Sequence, residues 1–355
     1  MKQLSQIYTV LLLVTFLSGC TTISYYTQAI RGHLALTMAG EPVDRFIASK
    51  GIPDELRNKL ILSRQARRFA SERLGLPTGD AFTAYVILDR PWVVVNLVAV
   101  PEFSLQPHQW CYPVLGCQAY RGYFHLADAR QEERRFRTQG YDTFIGGVTA
   151  YSTLGWFDDP LHSGFTNLAD DRMVALMFHE LAHRVIYLKG DTAFNESFAT
   201  AVELEGLKRW LTHQGDPSAF GEALTHLELR NRTHALVVTA SADLEQLYQQ
   251  KGVLSESRLR ERKQLIFEEL NAAYERLLAN GSEGPFGAPP VAFNNARIAL
   301  FTQYNQYVPA FRQLLKQSSY DFPMFYRAVE SLSRQPEEQR QQALQELSER
   351  FEENL

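Results

Sequence analysis

The chain has 355 residues, enough to bury one large hydrophobic core or two modest ones. With 45% hydrophobic and 21% charged residues it has the composition of an ordinary globular protein, not of a disordered tail. A net charge of −4 lacks the basic excess with which nucleic-acid binders grip phosphates, so that class is set aside.

The first expected element is a leader. Met1-Lys2 is a short positive start, and Val10–Leu17 is an apolar run too short to cross a bilayer as a permanent helix. Leu17-Ser18-Gly19-Cys20 then resembles a bacterial lipobox, whose Cys is lipidated and becomes residue one of the mature chain. The expected organisation is a signal peptide over 1–19 and a lipid on Cys20, which tethers a protein without making it span. Thr21 stands where Asp is absent, which resembles lipoproteins sorted to the outer membrane. A plain secretory signal cleaved elsewhere is the alternative.

Thr21–Gly40 should hold a short helix with Tyr25, Tyr26 and Ala29 as an apolar stripe. Pro53–Leu74 reads as an amphipathic helix, with Leu56, Leu60, Ile61 and Phe69 at helical spacing, ended by Gly75-Leu76-Pro77. The period then changes. Phe82–Val86, Trp92–Val100 and Phe144–Trp156 are rich in β-branched and aromatic residues and read as strands. Between them, Cys111 and Cys117 flank Pro113 and Gly116, which suit a tight loop; in an oxidising compartment a disulfide is expected. Two free thiols or soft metal ligands are the alternatives. Arg121 sits among Tyr120, Tyr123 and Phe124, either to bind a substrate carboxylate or carbonyl or to stack on its neighbours. Ala127–Thr138 should be a charged surface helix, and Asp158, Asp159 and His162 a loop of capping acids or, alternatively, a second metal site.

The most informative stretch is Met173–Leu188. It reads as one buried helix, with Asp170 or Asp171 to cap it and Gly190 to stop it. Inside it lies His179-Glu180-x-x-His183. Residues four apart share a helix face, so both imidazoles can reach one ion, and Glu180 is placed to contact a metal-bound water. Zinc lowers the pKa of such a water towards neutral, and a carboxylate can take its proton as it attacks a carbonyl. Catalytic zinc needs a third protein ligand. A helix starting near Asp191 or Thr192 carries Glu196 in its first or second turn, the expected ligand; Glu203 is the alternative, or a partner that holds a histidine. A buried Glu flanked by two His is costly unless something compensates it.

The remainder reads as helical: Phe194–Thr212, Glu222–Ala235, Ala242–Gln250 and Ser255–Ala279. The Gly- and Pro-rich loop Asn280–Pro290 follows, then a helix over Asn294–Leu315 carrying Tyr304 and Tyr307. Asp321 caps a final helix pair.

Several stretches resemble the bacterial family of putative aminopeptidase lipoproteins, zinc-peptidase-like proteins of the zincin (gluzincin) group. They include Arg90-Pro91-Trp92, Pro101-Glu102-Phe103-Ser104, Tyr120-Arg121-Gly122-Tyr123-Phe124, Ala150-Tyr151-Ser152-Thr153-Leu154, Phe178-His179-Glu180-Leu181-Ala182-His183 and Asn195-Glu196-Ser197-Phe198-Ala199. The resemblance implies an α+β zincin-like fold: a small N-terminal mixed sheet, an active-site helix and a largely helical C-terminal half. Residues 20–280 would form the catalytic region, with 281–355 packed on the same domain. It also implies bound zinc, a peptide substrate and Glu180 as the group that activates water.

In such folds an edge strand pairs with the extended substrate. Ala150–Leu154, with Tyr151 and Ser152, is the candidate edge, and a core strand is the other reading. Tyr304 is the candidate for oxyanion stabilisation, with Tyr307 behind it, although an amphipathic residue at the core edge would look the same. Glu102 is the candidate anion for a substrate α-ammonium. Two other functions stay open: an envelope assembly or binding factor that uses the cleft as a grip, and a zinc amidase acting on cell-wall peptides.

Overall fold

The computed structural model describes residues 25–112, 116–150, 158–278 and 283–351. Helix α1 covers 25–38. A two-residue strand β1 (Glu41–Pro42) and a short helix α2 (Val43–Ala48) lead to α3 (Asp54–Leu74). Asp54 and Glu55 place negative charge in the first turn of α3, and Gly75 closes it in the left-handed conformation (φ 64°) that a Cβ would oppose. Leu60, Ala66, Phe69, Ala70 and Leu74 form its buried face.

Among the described residues the strands fall into three small sheets, where one mixed sheet was expected. In the first, β1 pairs antiparallel with β2 (Ala84–Val86), and β2 pairs parallel with β8 (Leu161–His162). In the second, β3 (Val94–Pro101) lies between β6 (Arg121–Tyr123) and β7 (Tyr141–Val148), antiparallel to both. The third is the hairpin of β4 (Trp110–Tyr112) and β5 (Gly116–Gln118). Strand β3 is buried on both faces, which explains its unbroken apolar sequence. Val95, Leu97 and Ala99 face helix α4 (Leu126–Thr138), while Val98 and Val100 pack with Ala296.

The main core joins α3, α6 (Asp170–Ala182), α7 (Thr192–Gln214) and the C-terminal helices α11 (Val308–Gln317), α12 (Phe322–Ser333) and α13 (Glu337–Glu349). A short helix, α5 (Ser163–Thr166), leads into α6. Gly206 lets α7 close on its neighbours. A Cβ there would stand 2.9 Å from both the Leu74 and the Phe178 side chains. A second core belongs to α8 (Phe220–Tyr248), α9 (Glu256–Leu277) and the segment around Phe286 and Phe293.

Two expectations in the helical half are corrected. Glu222–Ala235 and Ala242–Gln250 are parts of one helix, α8. The β-branched run between them is carried through because Val237, Ala240, Leu244 and Leu247 fall on one face and are buried in the second core. Conversely, Asn294–Leu315 is two helices, α10 (Asn295–Asn305) and α11. Pro309 sits in the first turn of α11, and the Tyr307 N–H leaves the helical ladder for Ser197 Oγ at 3.0 Å.

Candidate metal centre

The site is built on the reversal between α6 and α7. Helix α6 ends at Ala182 with His183 as its C-cap, six residues short of the expected Leu188. The helix stops because later residues find other partners. The Arg184 and Val185 N–H groups bond to Leu181 and Ala182 in a tightened last turn. The Leu188 N–H and carbonyl are both taken by the Asn195 side-chain amide, each at 2.8 Å. Helix α7 starts where expected. Asp191 is its N-cap, accepting the Phe194 N–H at 3.0 Å, and Arg340 of α13 holds the other Asp191 oxygen at 3.0 and 3.2 Å. Glu196 therefore comes over the α6 histidines in the second turn.

The Glu196 carboxylate lies 3.2 Å from His179 Nε2 through one oxygen and 3.8 Å from His183 Nε2 through the other. Two ligands on one tetrahedral zinc, each about 2.1 Å from it, stand about 3.4 Å apart. Among the described residues, His179, His183 and Glu196 are the group of three whose donor atoms lie close enough to share an ion, all within 4.8 Å of one another. Glu203, one of the two ligand candidates, is instead 3.0 Å from His179 Nδ1. That is the contact by which carboxylates orient metal-binding imidazoles. The buried Nδ1 of His183 has no partner among the described residues.

The charges respond to this crowding. Burial disfavours the charged form of His179, but Glu196 and Glu203 outweigh it and hold the imidazolium well above its ordinary range. Burial pushes Glu196 up, yet His183 and His179 hold it below the usual carboxylate range. Burial pushes His183 down to about 4. It also pushes Glu180 up to about 7; His179 opposes this, while Glu196, Asp159 and Glu203 add to it. Three acidic groups thus crowd the His179 imidazolium, with Arg230 and Arg172 acting on Glu203, a cluster that a cation's charge would favour. The donor set fits zinc: two ring nitrogens, one carboxylate, and an acid beside them whose protonation balances near neutral pH.

The other candidates are placed differently. Of the two readings of Arg121, the contacts match the packing one: its guanidinium bonds both oxygens of Glu132 at 3.0 and 3.1 Å and lies 3.8 Å over the Tyr25 ring. Glu102 is held in an ion pair, both of its oxygens accepting from Arg260 at 2.7 and 2.9 Å. Tyr307 is buried and bonded to Gln306 at 2.9 Å. Cys111 and Cys117 are directly paired across β4 and β5 and joined by a disulfide. Cys20, Tyr151, Ser152 and the Tyr304 side chain lie outside the described residues, and strand β7 ends at Val148, before Ala150.

Asn195, Arg340 and Gln118 went unassigned in the sequence. Gln118, next to the disulfide, bonds Tyr187 and Thr192, each at 3.3 Å, and so ties the β4–β5 hairpin to the reversal. Asn195, one residue before Glu196, is the one of the three that local sequence could flag, as a buried polar side chain beside the candidate ligand.

Residues 24–344 match the family model described as "Putative aminopeptidase". No curated protein and no solved structure gives a significant match. Since that match runs from α1 into α13, across the whole frame that brings Glu196 onto His179 and His183, the chain belongs to the putative aminopeptidase family.

Proposed function

We propose that the protein is a zinc-dependent peptidase of zincin-like fold, acting at the periplasmic face of the outer membrane and tethered by a lipid on Cys20. The observation that carries the reading is the spacing of His179 Nε2, His183 Nε2 and the Glu196 carboxylate, with Glu203 on the remaining nitrogen of His179. Zinc held there would supply Lewis acidity to a water and to the scissile carbonyl. Glu180 takes the proton of the attacking water and returns it to the leaving amine; a carboxyl held near 7 can do both. Glu203 fixes the His179 tautomer and ring plane, and Asn195 and Arg340 hold the turn that presents Glu196. Strand β7 is the edge of its sheet among the described residues and leads towards Ala150, which is buried in the same core as α6. An extended peptide adding to that edge would run towards the cluster.

Glu102, the candidate anchor for an α-ammonium, is engaged by Arg260, so preference for a free N-terminus rests on the family description. The test combines metal content with hydrolysis of peptides bearing free and blocked N-termini, for the native protein and Glu180→Gln. Stoichiometric zinc and loss of hydrolysis in the variant are expected. A metal-free native protein, or a variant as active as the native one, overturns the reading.

A further inference from the structure

Helix α1 has two unlike faces. Its inner face is fully used. Tyr25 packs on Tyr112 and Tyr123, Gln28 bonds the Gly122 carbonyl and the Phe124 N–H, and Leu36 is buried with Val86, Val93 and Val94. Gly32 lies against the Phe124 ring so closely that any Cβ would overlap it. At about 100° per residue, Ile30, Leu34 and Met38 form a single stripe on roughly the opposite side. They are 58%, 51% and 83% exposed, three of the largest exposures of apolar side chains in the described chain, and Arg31 stands exposed beside them. Nothing in the described protein covers this stripe, and burying it in water-free surroundings is favourable.

We infer that this face of α1 lies on a lipid bilayer, its apolar stripe at the depth of the headgroup–acyl boundary and Arg31 among the lipid phosphates. The commitment to lipid comes from chain length. Cys20 is five residues before the start of the helix, and five residues reach no more than about 18 Å even fully extended. A lipid on Cys20 therefore brings the beginning of α1 to the membrane surface, and the stripe points away from the body to which the helix is fastened. The lipid supplies the attachment, and a second contact of this kind fixes which side of the molecule faces the bilayer. The inference rests on the lipidation part of the proposed function and not on the peptidase part.

The test uses the full-length protein purified from envelopes and reconstituted in phosphatidylethanolamine–phosphatidylglycerol vesicles. Nitroxide labels are placed at Leu34→Cys, Met38→Cys and, as a control on exposed α13, Gln342→Cys. The disulfide protects Cys111 and Cys117, and acylation blocks Cys20. Labels at 34 and 38 should lose most of their collisions with a water-soluble nickel chelate and gain collisions with oxygen, while the label at 342 should not. In Ile30→Glu combined with Leu34→Glu the label at 38 should regain most of its collisions with the nickel chelate while the thermal transition stays in place. Labels at 34 and 38 as water-exposed as the one at 342 overturn the inference, as does dipolar broadening between labels that shows a second copy on the stripe. The mass of the mature chain reports lipidation of Cys20 separately: an unlipidated chain overturns the inference and leaves the peptidase reading untouched.

Discussion

Two regions of buried charge in this molecule, the β3 sheet with its Glu132 and Asp142 pairs and the α6–α7 reversal, differ in how they are neutralised. Around Glu132, one carboxylate meets the Arg121 guanidinium, the Trp110 indole N–H at 3.1 Å and the Tyr123 hydroxyl. Asp142 is likewise met by Lys263 at 2.7 Å and by the Asn295 N–H at 2.9 Å. Positive and negative charge balance there, and the groups hold β3, β6, β7, α4, α9 and α10 together. Around His179 the acids outnumber the groups that bond them: Glu180, Glu196 and Glu203 crowd one imidazolium, with Arg230 and Arg172 acting on Glu203 through charge alone. Burial of charge alone therefore does not mark a site. A deficit of the opposite charge does, because a fold does not retain an uncompensated cost unless something else meets it.

The sharpest way to break this comparison is Glu180→Gln. Hydrolysis should fall by roughly 10²–10⁴-fold with bound metal unchanged, as read by parallel kinetics and metal analysis. Next is the contrasting cluster. Arg121→Met should leave Glu132 buried and short of its cation and lower unfolding stability by about 3–5 kcal/mol in denaturant titrations, without altering metal affinity per folded molecule. A loss of metal in that variant would mean the two clusters are not separate.

Acid should act through a third group. His162 is buried, and burial pushes it down to about 4. The unfolded chain takes up that proton near pH 6.5, whereas the folded protein resists it to about 4. Stability from this residue is complete above about 6.5 and is lost as pH falls towards 4, by about 3 kcal/mol. His162→Asn, which keeps an acceptor for the Gly164 N–H, should flatten that part of the curve. The smallest effect is expected from Glu203→Gln. It should weaken zinc roughly 10–100-fold in chelator competition without abolishing binding, because it touches only the far nitrogen of a ligand. If it removes the metal outright while Glu196→Gln does not, the ligand assignment is reversed.

Local chemistry was legible in the chain. The four-residue spacing of His179 and His183, the Asp191 and Asp321 caps and the stop at Gly75 all depend on residues within a turn or two. Pro309 was a readable signal for the α10–α11 break that the apolar spacing around it obscured. The end of α6 was not readable, because Leu188 gives up helical partners for a side chain seven residues ahead. Nor were the fates of Arg121 and Glu102, since the Glu132 and Arg260 that claim them lie 11 and 158 residues away.

The sequence by itself determined where most helices lie, the Asp191 and Asp321 caps and the pair of imidazoles, because one turn of backbone geometry settles each of them. It did not give the start of α6, whose N-cap is Ala169 and not Asp170 or Asp171. Only the tertiary structure decided which carboxylate joins those imidazoles, which one supports them from behind and which polar residues are merely paired. Those outcomes turn on contacts between α6, α7, α13 and the β4–β5 hairpin, and spacing along the chain carries no record of distances across the core.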